Sequence, residues 1–420
     1  MNQYAERLHR LFQLEFFGMK LGLENIRALL DFLGHPEQNF PSIHIAGTNG
    51  KGSVSAMLAA VHQASGKRTG LYTSPHLVDF RERIRVDGEM ISEKEVVDFL
   101  ERIWWKVEEL NATFFEVTTA MAFDHFARHR VDIAIIETGL GGRLDATNVL
   151  EKPIATVITS IGYDHMAQLG PTLESIASEK AGIFKPSVPA IVNCDPTLNH
   201  IFQNRAQKIG CEILFVRDWE LPSFFIGMLP SLPGNHQEWN LKTVLAALSV
   251  LPYSLALEDI KKGVGNVASL TGLRARLEEI HSADLSERGL RLFLDVGHNP
   301  QALEKTKEFF LSMGIRPIVI AGLMKDKEVT EAIKIFKSFA AFFVAVQAKT
   351  ARALPSSSLA EIAQTVHLPT ANGGSVLDGL HTAARRGASG DTLLLIGSHY
   401  VVGEFLENFQ RTGRVIAGAE

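Results

Sequence analysis

Seven residues, Gly47-Thr48-Asn49-Gly50-Lys51-Gly52-Ser53, bring three glycines, a lysine and a hydroxyl together between an apolar run, Ile43–Ala46, and an apolar-periodic segment that continues to Leu58. This composition can handle phosphate. Backbone N–H groups converge on phosphoryl oxygens only where no Cβ blocks them, and a following helix adds the positive end of its dipole. Lys51 supplies a mobile cation and Ser53 a hydroxyl. The spacing departs from a strict P-loop, with two residues between Gly47 and Gly50 and with Gly52 between Lys51 and Ser53. A loop that binds nothing is the alternative, and the strand-like run before it and the helical pattern after it argue against that.

Further polar groups recur where apolar runs end. Arg68–Tyr72 leads into Thr73-Ser74-Pro75-His76-Leu77, and Asp132–Glu137 leads into the glycine-rich Thr138–Asn148. Ile154–Thr159 leads into Ser160–Gly170, which carries Asp164 and His165. In an open α/β sheet, ligands bind at the carboxyl ends of strands. Glu137 there is either a magnesium ligand or a surface carboxylate. Lys180, in a segment read as a helix from Leu173 to Phe184, is by itself an ordinary solvated charge. Arg81, Arg83 and Arg85 lie in Arg81–Glu89, an alternating stretch whose Asp87-Gly88 predicts a hairpin; they form a solvated face or an anion clamp. Asn240 reads either as an adenine contact or as a helix cap.

The elements that must position these groups follow an α/β rhythm. Residues 3–33 predict two helices broken at Phe17–Gly22; Ser92 with Glu95 predicts a capping box opening a helix to Leu110; a second helix spans Val117–Arg128. Strands are expected near Ala190–Asn193 and Glu212–Val216. After a candidate linker at Thr271–Leu273, a second series begins, with strands at Arg291–Asp295, Pro317–Ala321, Ala341–Val346 and Thr392–Ile396. Asp295–Pro300 (DVGHNP) and Gly397-Ser398-His399 follow strands there, repeating the strand-end pattern. The expectation is a larger P-loop-type, mostly parallel domain over 1–272 and a smaller Rossmann-like α/β domain over 273–420.

A chain of 420 residues exceeds the size at which one core stops growing. With 42 Lys and Arg against 47 Asp and Glu, and no basic stripe, nucleic acid is not an expected partner. No apolar run is long enough to span a bilayer. Two cysteines, and first residues without the pattern of a secretory signal, point to the cytoplasm.

Taken together, GTNGKGS (47–53), TSPHL (73–77), RERIRV (81–86), ETGLGGRLDATN (137–148), SIGYDHMAQLG (160–170), SEKAGIFK (178–185), PGNHQEWN (233–240) and DVGHNP (295–300) resemble, in order, the motifs of the folylpolyglutamate synthase / dihydrofolate synthase family. Several of them are shared with the wider Mur-ligase group. The resemblance implies ATP-dependent amide formation between a pterin-bearing carboxylate and L-glutamate through an acyl phosphate, with Mg²⁺, as two ions, and a monomeric enzyme. It assigns Gly47, Thr48, Asn49, Gly50, Lys51, Gly52 and Ser53 to the phosphates. Ser74 and Glu137 go to a first Mg²⁺ and His165 to a second. Lys180 matches a family lysine carboxylated by CO₂, which would become an anionic metal ligand. Asn240 resembles the adenine contact, and Arg276, Asp295 and His298 resemble residues that close on ATP. Lys51, His165, Lys180 and His298 thereby become the candidate catalytic groups. Thr113, Phe115, Asp145 and Ala146 resemble the dihydropteroate pocket of bifunctional members; Arg83 is a candidate clamp for the anionic substrate and Ser398 for glutamate. Val296 and Ala275 depart from the glycines usual at those places.

Two other readings compete. A peptidoglycan-type Mur ligase would carry an N-terminal uridine-nucleotide domain, for which a cradle strand starting near Ser42 leaves no room. A non-catalytic nucleotide switch would not need polar groups at Ser74, Glu137 and His165. The two-domain reading further implies closure on ATP that excludes water from the acyl phosphate.

Overall fold

The computed structural model describes residues 3–14 and 22–415. The helices Gln3–Gln13 and Glu24–Leu33 form where the apolar spacing places them, while the break expected at Phe17–Gly22 lies, except for Gly22, outside the described residues. The chain divides into two compact units. The first holds residues up to His76, Phe80–Ser231 and Glu238–Leu273; the second holds Arg274 onward together with Leu77–Asp79 and Leu232–Gln237. Leu77 and Val78 belong to the second unit because they pack on its apolar core.

The first unit is built on β1 (Ser42–Ala46), β2 (Thr69–Tyr72), β3 (Ile84–Val86), β4 (Glu89–Met90), β5 (Ile133–Glu137), β6 (Ala155–Ile158), β7 (Ala190–Val192) and β8 (Ile213–Phe215). Their order is β4-β3-β2-β5-β1-β6-β7-β8, parallel throughout except for β3 and β4. Parallel strands are covered on both faces, so their sequences are apolar without alternation. In β5, Ala134 and Ile136 join a cluster with the helices Glu93–Leu110 and Phe114–Arg128, and Ile133 and Ile135 on the opposite face are equally buried. The chain leaves β1 toward β2 on one side and crosses by way of β5 to β6 on the other. The carboxyl end of β1 therefore lies at a topological switch point, where such sheets bind ligands.

Local chemistry sets several boundaries. Capping boxes at Ser92/Glu95 and Thr113/Glu116 start the two helices, each cap contributing about 1 kcal/mol. The second helix therefore begins at Phe114, three residues before the apolar pattern predicts. Asp87 and Gly88 both have positive φ and close the β3–β4 hairpin, but Phe80–Arg83 forms a 3₁₀ turn where alternation predicts strand. The helix at Leu173 stops at Ala181 rather than Phe184.

The second unit contains β9 (Arg276–Ile280), β10 (Arg291–Asp295), β11 (Ile318–Ala321), β12 (Phe342–Gln347), β13 (Thr370–Ser375) and β14 (Thr392–Ile396), in the order β13-β12-β11-β14-β10-β9. All neighbours are parallel except β9 with β10. The four strands read from the sequence are the apolar central ones; β9 and β13 are edges whose sequences, RLEEI and TANGGS, lack an apolar run. Two mostly parallel α/β domains, the larger first, are thus the architecture the sequence pattern predicts. Among the described residues no helix is long and apolar enough to cross a membrane, and both cysteines are free thiols.

Candidate active site

The cradle follows β1 directly. Gly47 has φ of 154° and Gly50 φ of 87°, and Gly50 caps the helix Lys51–Ala64 in the left-handed conformation with no side-chain cap. The first-turn N–H groups of a helix have no intrahelical acceptor, so this uncapped start offers donors and a positive dipole end to an anion. A Cβ on Gly47 would lie 1.9 Å from Thr159 Oγ1, and one on Gly50 would lie 2.6 Å from Asn240 Oδ1. Only glycine fits at either place.

The end of β6 holds the loop in shape. Thr159 Oγ1 donates to the Asn49 carbonyl at 2.7 Å, and Ser160 Oγ does so at 3.0 Å. The Thr48 N–H reaches the Ser160 carbonyl at 2.6 Å, while Thr48 Oγ1 donates to the Gly162 carbonyl at 3.1 Å and accepts from the Gly162 N–H at 3.0 Å. Thr159, Ser160 and Gly162 are thus cradle-shaping residues that the sequence reading did not single out. Their signal was weak: a hydroxyl pair at a strand end is common, and only the adjacency of β1 and β6 gives it a partner.

Two lysines meet at one carbonyl. Lys51 Nζ donates to Gly47 O at 3.1 Å and lies 3.4 Å from Thr48 O, and Lys180 Nζ donates to Gly47 O at 2.7 Å. Lys180 is 4% exposed. Burial, with the Lys51 charge beside it, pushes its pKa down to about 7 against the pull of Asp164 and Asp145. It is therefore not the solvated helix charge its sequence context describes.

Glu137, buried at the end of β5, accepts from the Ser74 N–H at 3.3 Å, so the adjacent strands β2 and β5 bring these two residues together. An anionic oxygen beside a hydroxyl residue is a hard-oxygen set suited to Mg²⁺. His165 sits in the left-handed conformation, its N–H on Asp164 Oδ1 at 2.9 Å and its ring 3.9 Å from the same oxygen. The Ser74–Pro75 peptide bond is cis.

A largely buried aromatic and cationic group lies around this edge. Arg83, at the end of the 3₁₀ turn, donates from Nε to His76 Nδ1 at 2.8 Å and stacks 5.1 Å from the Phe114 ring. Phe115 packs 6.0 Å from the Tyr72 ring. Thr113 caps its helix, exchanging bonds with Glu116. Asp145 Oδ1 accepts from Thr147 N at 3.1 Å and from Thr147 Oγ1 at 2.5 Å, and Oδ2 accepts from Leu140 N at 2.8 Å. It therefore caps the turn Ala146–Val149, and burial raises its pKa. Asn240 lies inside the helix His236–Ser249, so it is not a helix cap.

In the second unit, the buried Asp295 accepts from Gly297 N at 2.7 Å and Leu277 N at 3.0 Å, and burial raises its pKa while lowering that of His236. His298 Nδ1 lies 3.0 Å from the Val296 carbonyl, and Arg276 donates to the Ala275 carbonyl at 3.1 Å. Asn299 caps the helix Pro300–Ser312, and Ser398 caps His399–Thr412, accepting from Val401 N at 3.1 Å.

The Mur ligase middle domain family matches residues 45–218, and the Mur ligase, glutamate ligase domain family matches 275–399. The chain is 36% identical to the dihydrofolate synthase/folylpolyglutamate synthase of Bacillus subtilis, over 77% of this chain and 80% of that protein. Identity to the protein of the same name from Haemophilus influenzae is 32%, over 96% of each. Escherichia coli FolC in complex with DHPP and ADP superposes with a TM-score of 0.84 at 29% identity, covering 97% of this chain and 98% of that one. The Yersinia pestis bifunctional folylpolyglutamate synthase/dihydrofolate synthase complexed with AMPPNP and Mn ion gives 0.86 at 27% identity, over 97% and 98%. With the cradle, the paired lysines and the strand-end carboxylate in the places that these likenesses span, the chain belongs to the dihydrofolate synthase/folylpolyglutamate synthase family of ATP-dependent ligases.

Proposed function

We propose that this chain adds L-glutamate both to dihydropteroate and to reduced folate (poly)glutamates, using ATP and Mg²⁺, and that it acts as a monomer in the cytoplasm. The observation that carries the reading is the shared Gly47 carbonyl. It joins the cradle lysine to a buried lysine whose pKa is near neutrality, next to a strand end bearing Glu137 and Ser74.

A carboxylate resists amines because its charge repels them and oxide leaves poorly. In the first step a substrate carboxylate oxygen attacks Pγ of ATP, the Pγ–O bond to ADP breaks, and an acyl phosphate forms. The glutamate amine then attacks the acyl carbon, and phosphate leaves from the tetrahedral intermediate. Charge builds up in both steps, so fixed donors carry much of the catalysis. We assign the cradle N–H groups and Lys51 to the phosphates, Asn240 to adenine, and Arg276, Asp295 and His298 to the nucleotide as well. Arg83, Thr113, Phe115, Asp145 and Ala146 are assigned to the pterin-bearing substrate and Ser398 to glutamate. Glu137, Ser74, His165 and a carboxylated Lys180 would hold Mg²⁺, which neutralises charge on the phosphoryl oxygens. The neutral Lys180 amine that carboxylation requires is supported by its burial: R–NH₂ and CO₂ give R–NHCOO⁻ and a proton.

The decisive test is ADP release by the purified chain, with glutamate present, from dihydropteroate and from tetrahydrofolate in separate reactions. Release with both is expected. Release with tetrahydrofolate alone would restrict the chain to folylpolyglutamate synthesis, and release with neither would refute the reading.

A further inference from the structure

We propose that Glu95, His125 and His129 form a site for one divalent transition-metal ion, with Zn²⁺ the best fit, clamping the start of the helix Glu93–Leu110 to the end of the helix Phe114–Arg128. The three residues each turn a donor atom to a common point, all within 4.8 Å of one another. His125 Nδ1 is 3.4 Å and His129 Nε2 2.7 Å from the same Glu95 oxygen, Oε1. Metal–ligand bonds of about 2.0–2.1 Å in a tetrahedral site put donor atoms about 3.3 Å apart. The two histidine–carboxylate spacings already bracket that value, and the remaining imidazole–imidazole spacing is at most 4.8 Å, so side-chain adjustment closes the cluster on an ion.

The donor type selects the ion. Two imidazole nitrogens and one carboxylate oxygen suit Zn²⁺, Co²⁺ or Ni²⁺, whereas Mg²⁺ prefers an all-oxygen shell. The surroundings already orient the set as outer partners of a metal site do. Glu95 Oε2 is engaged by Ser92 N at 3.0 Å and Ser92 Oγ at 2.5 Å in the capping box, which turns Oε1 toward the histidines. His129 is the C-cap of its helix, its carbonyl held by Arg68 at 3.1 Å. His125 is buried, while the side chains of Glu95 and His129 are 38% and 37% exposed, so water can reach the cluster and supply a fourth ligand. A cation there also lies at the negative dipole end of a 15-residue helix. Without a metal, the same contacts amount to a surface carboxylate–imidazole pair.

The test uses the full chain, stripped of metal by a chelator and titrated with Co²⁺ and Zn²⁺. One Co²⁺ per chain with the visible absorption of a tetrahedral ion is expected, displaced by one equivalent of Zn²⁺. His129→Asn and Glu95→Gln, both at partly exposed positions, should each weaken Co²⁺ at least roughly tenfold and abolish the rise in Tm that Zn²⁺ produces. Glu137→Gln should leave the absorption intact, and His129→Asn should keep its Mg²⁺-supported ADP release. Absorption that survives in His129→Asn, absorption lost in Glu137→Gln, or no stoichiometric Co²⁺ uptake would each overturn the proposal.

Discussion

Gly47→Ala isolates the cradle. The added Cβ would stand 1.9 Å from Thr159 Oγ1 and 3.1 Å from the Thr159 backbone nitrogen, so the hydroxyl must move by about 1 Å or more while the strand end gives by a few tenths. Because that hydroxyl is donated to the Asn49 carbonyl, and Gly47 O accepts from both Lys51 and Lys180, the displacement reaches all three. Overpacking of this kind costs about 1–3 kcal/mol, and misplacing reacting groups by about 1 Å costs about 100-fold in rate. The expected result is a fall of roughly 100-fold in kcat/KM for ATP, with a Tm lowered by roughly 2–10 °C. Both are measured by steady-state ADP release and thermal unfolding. Gly66→Ala is the control, since Gly66 has φ of 80° but nothing within 4 Å of a Cβ. It carries the conformational cost of about 1–2 kcal/mol with no effect on ATP. A Gly47→Ala enzyme within about twofold of wild type in kcat/KM would refute the argument that the cradle works by excluding a Cβ.

Lys180→Met should lower kcat at least roughly 100-fold, with partial rescue by a short carboxylic acid such as acetate. A ¹³C carbamate signal in wild-type protein under ¹³CO₂ should grow between pH 6 and 8, as the amine with its pKa of about 7 becomes neutral, and be missing from the variant. Arg83→Ala removes the guanidinium held by His76 and Phe114, and should raise KM for the pterin substrate roughly tenfold or more while leaving KM for ATP unchanged; Arg83→Lys cannot restore the planar contact. Equal effects on both KM values would refute its assignment. His44, fully buried with its Nε2 on Thr147 Oγ1 at 2.8 Å, has its pKa lowered to about 3 by desolvation. The unfolded chain then binds the extra proton first, so stability falls as pH drops from about 6.5 toward 3, by about 2 kcal/mol between pH 7 and 5. Urea unfolding of His44→Leu at the two pH values should show that much less loss than wild type.

The residue pattern alone determined the two-domain α/β plan, the cradle and the strand ends. Parallel strands buried on both faces must be apolar throughout, glycines must stand where backbone approaches a ligand, and Ser92 with Glu95 starts a helix by bonds three residues apart. These are short-range or one-face constraints, and they are written locally. The edges β9 and β13 were not legible, because an edge strand draws its pairing from a neighbour rather than from its own hydrophobicity. Tertiary structure decided what several polar residues do. Lys180 sits in an ordinary helical stretch, and its depressed pKa comes from burial and from Lys51, which is distant in the chain. Thr159 and Ser160 acquire the task of shaping the cradle only because β6 lies beside β1. Glu95 is a legible cap, yet the two histidines facing it stand on another helix. Desolvation and the sum of nearby charges depend on distances in space, and only the packed chain sets those.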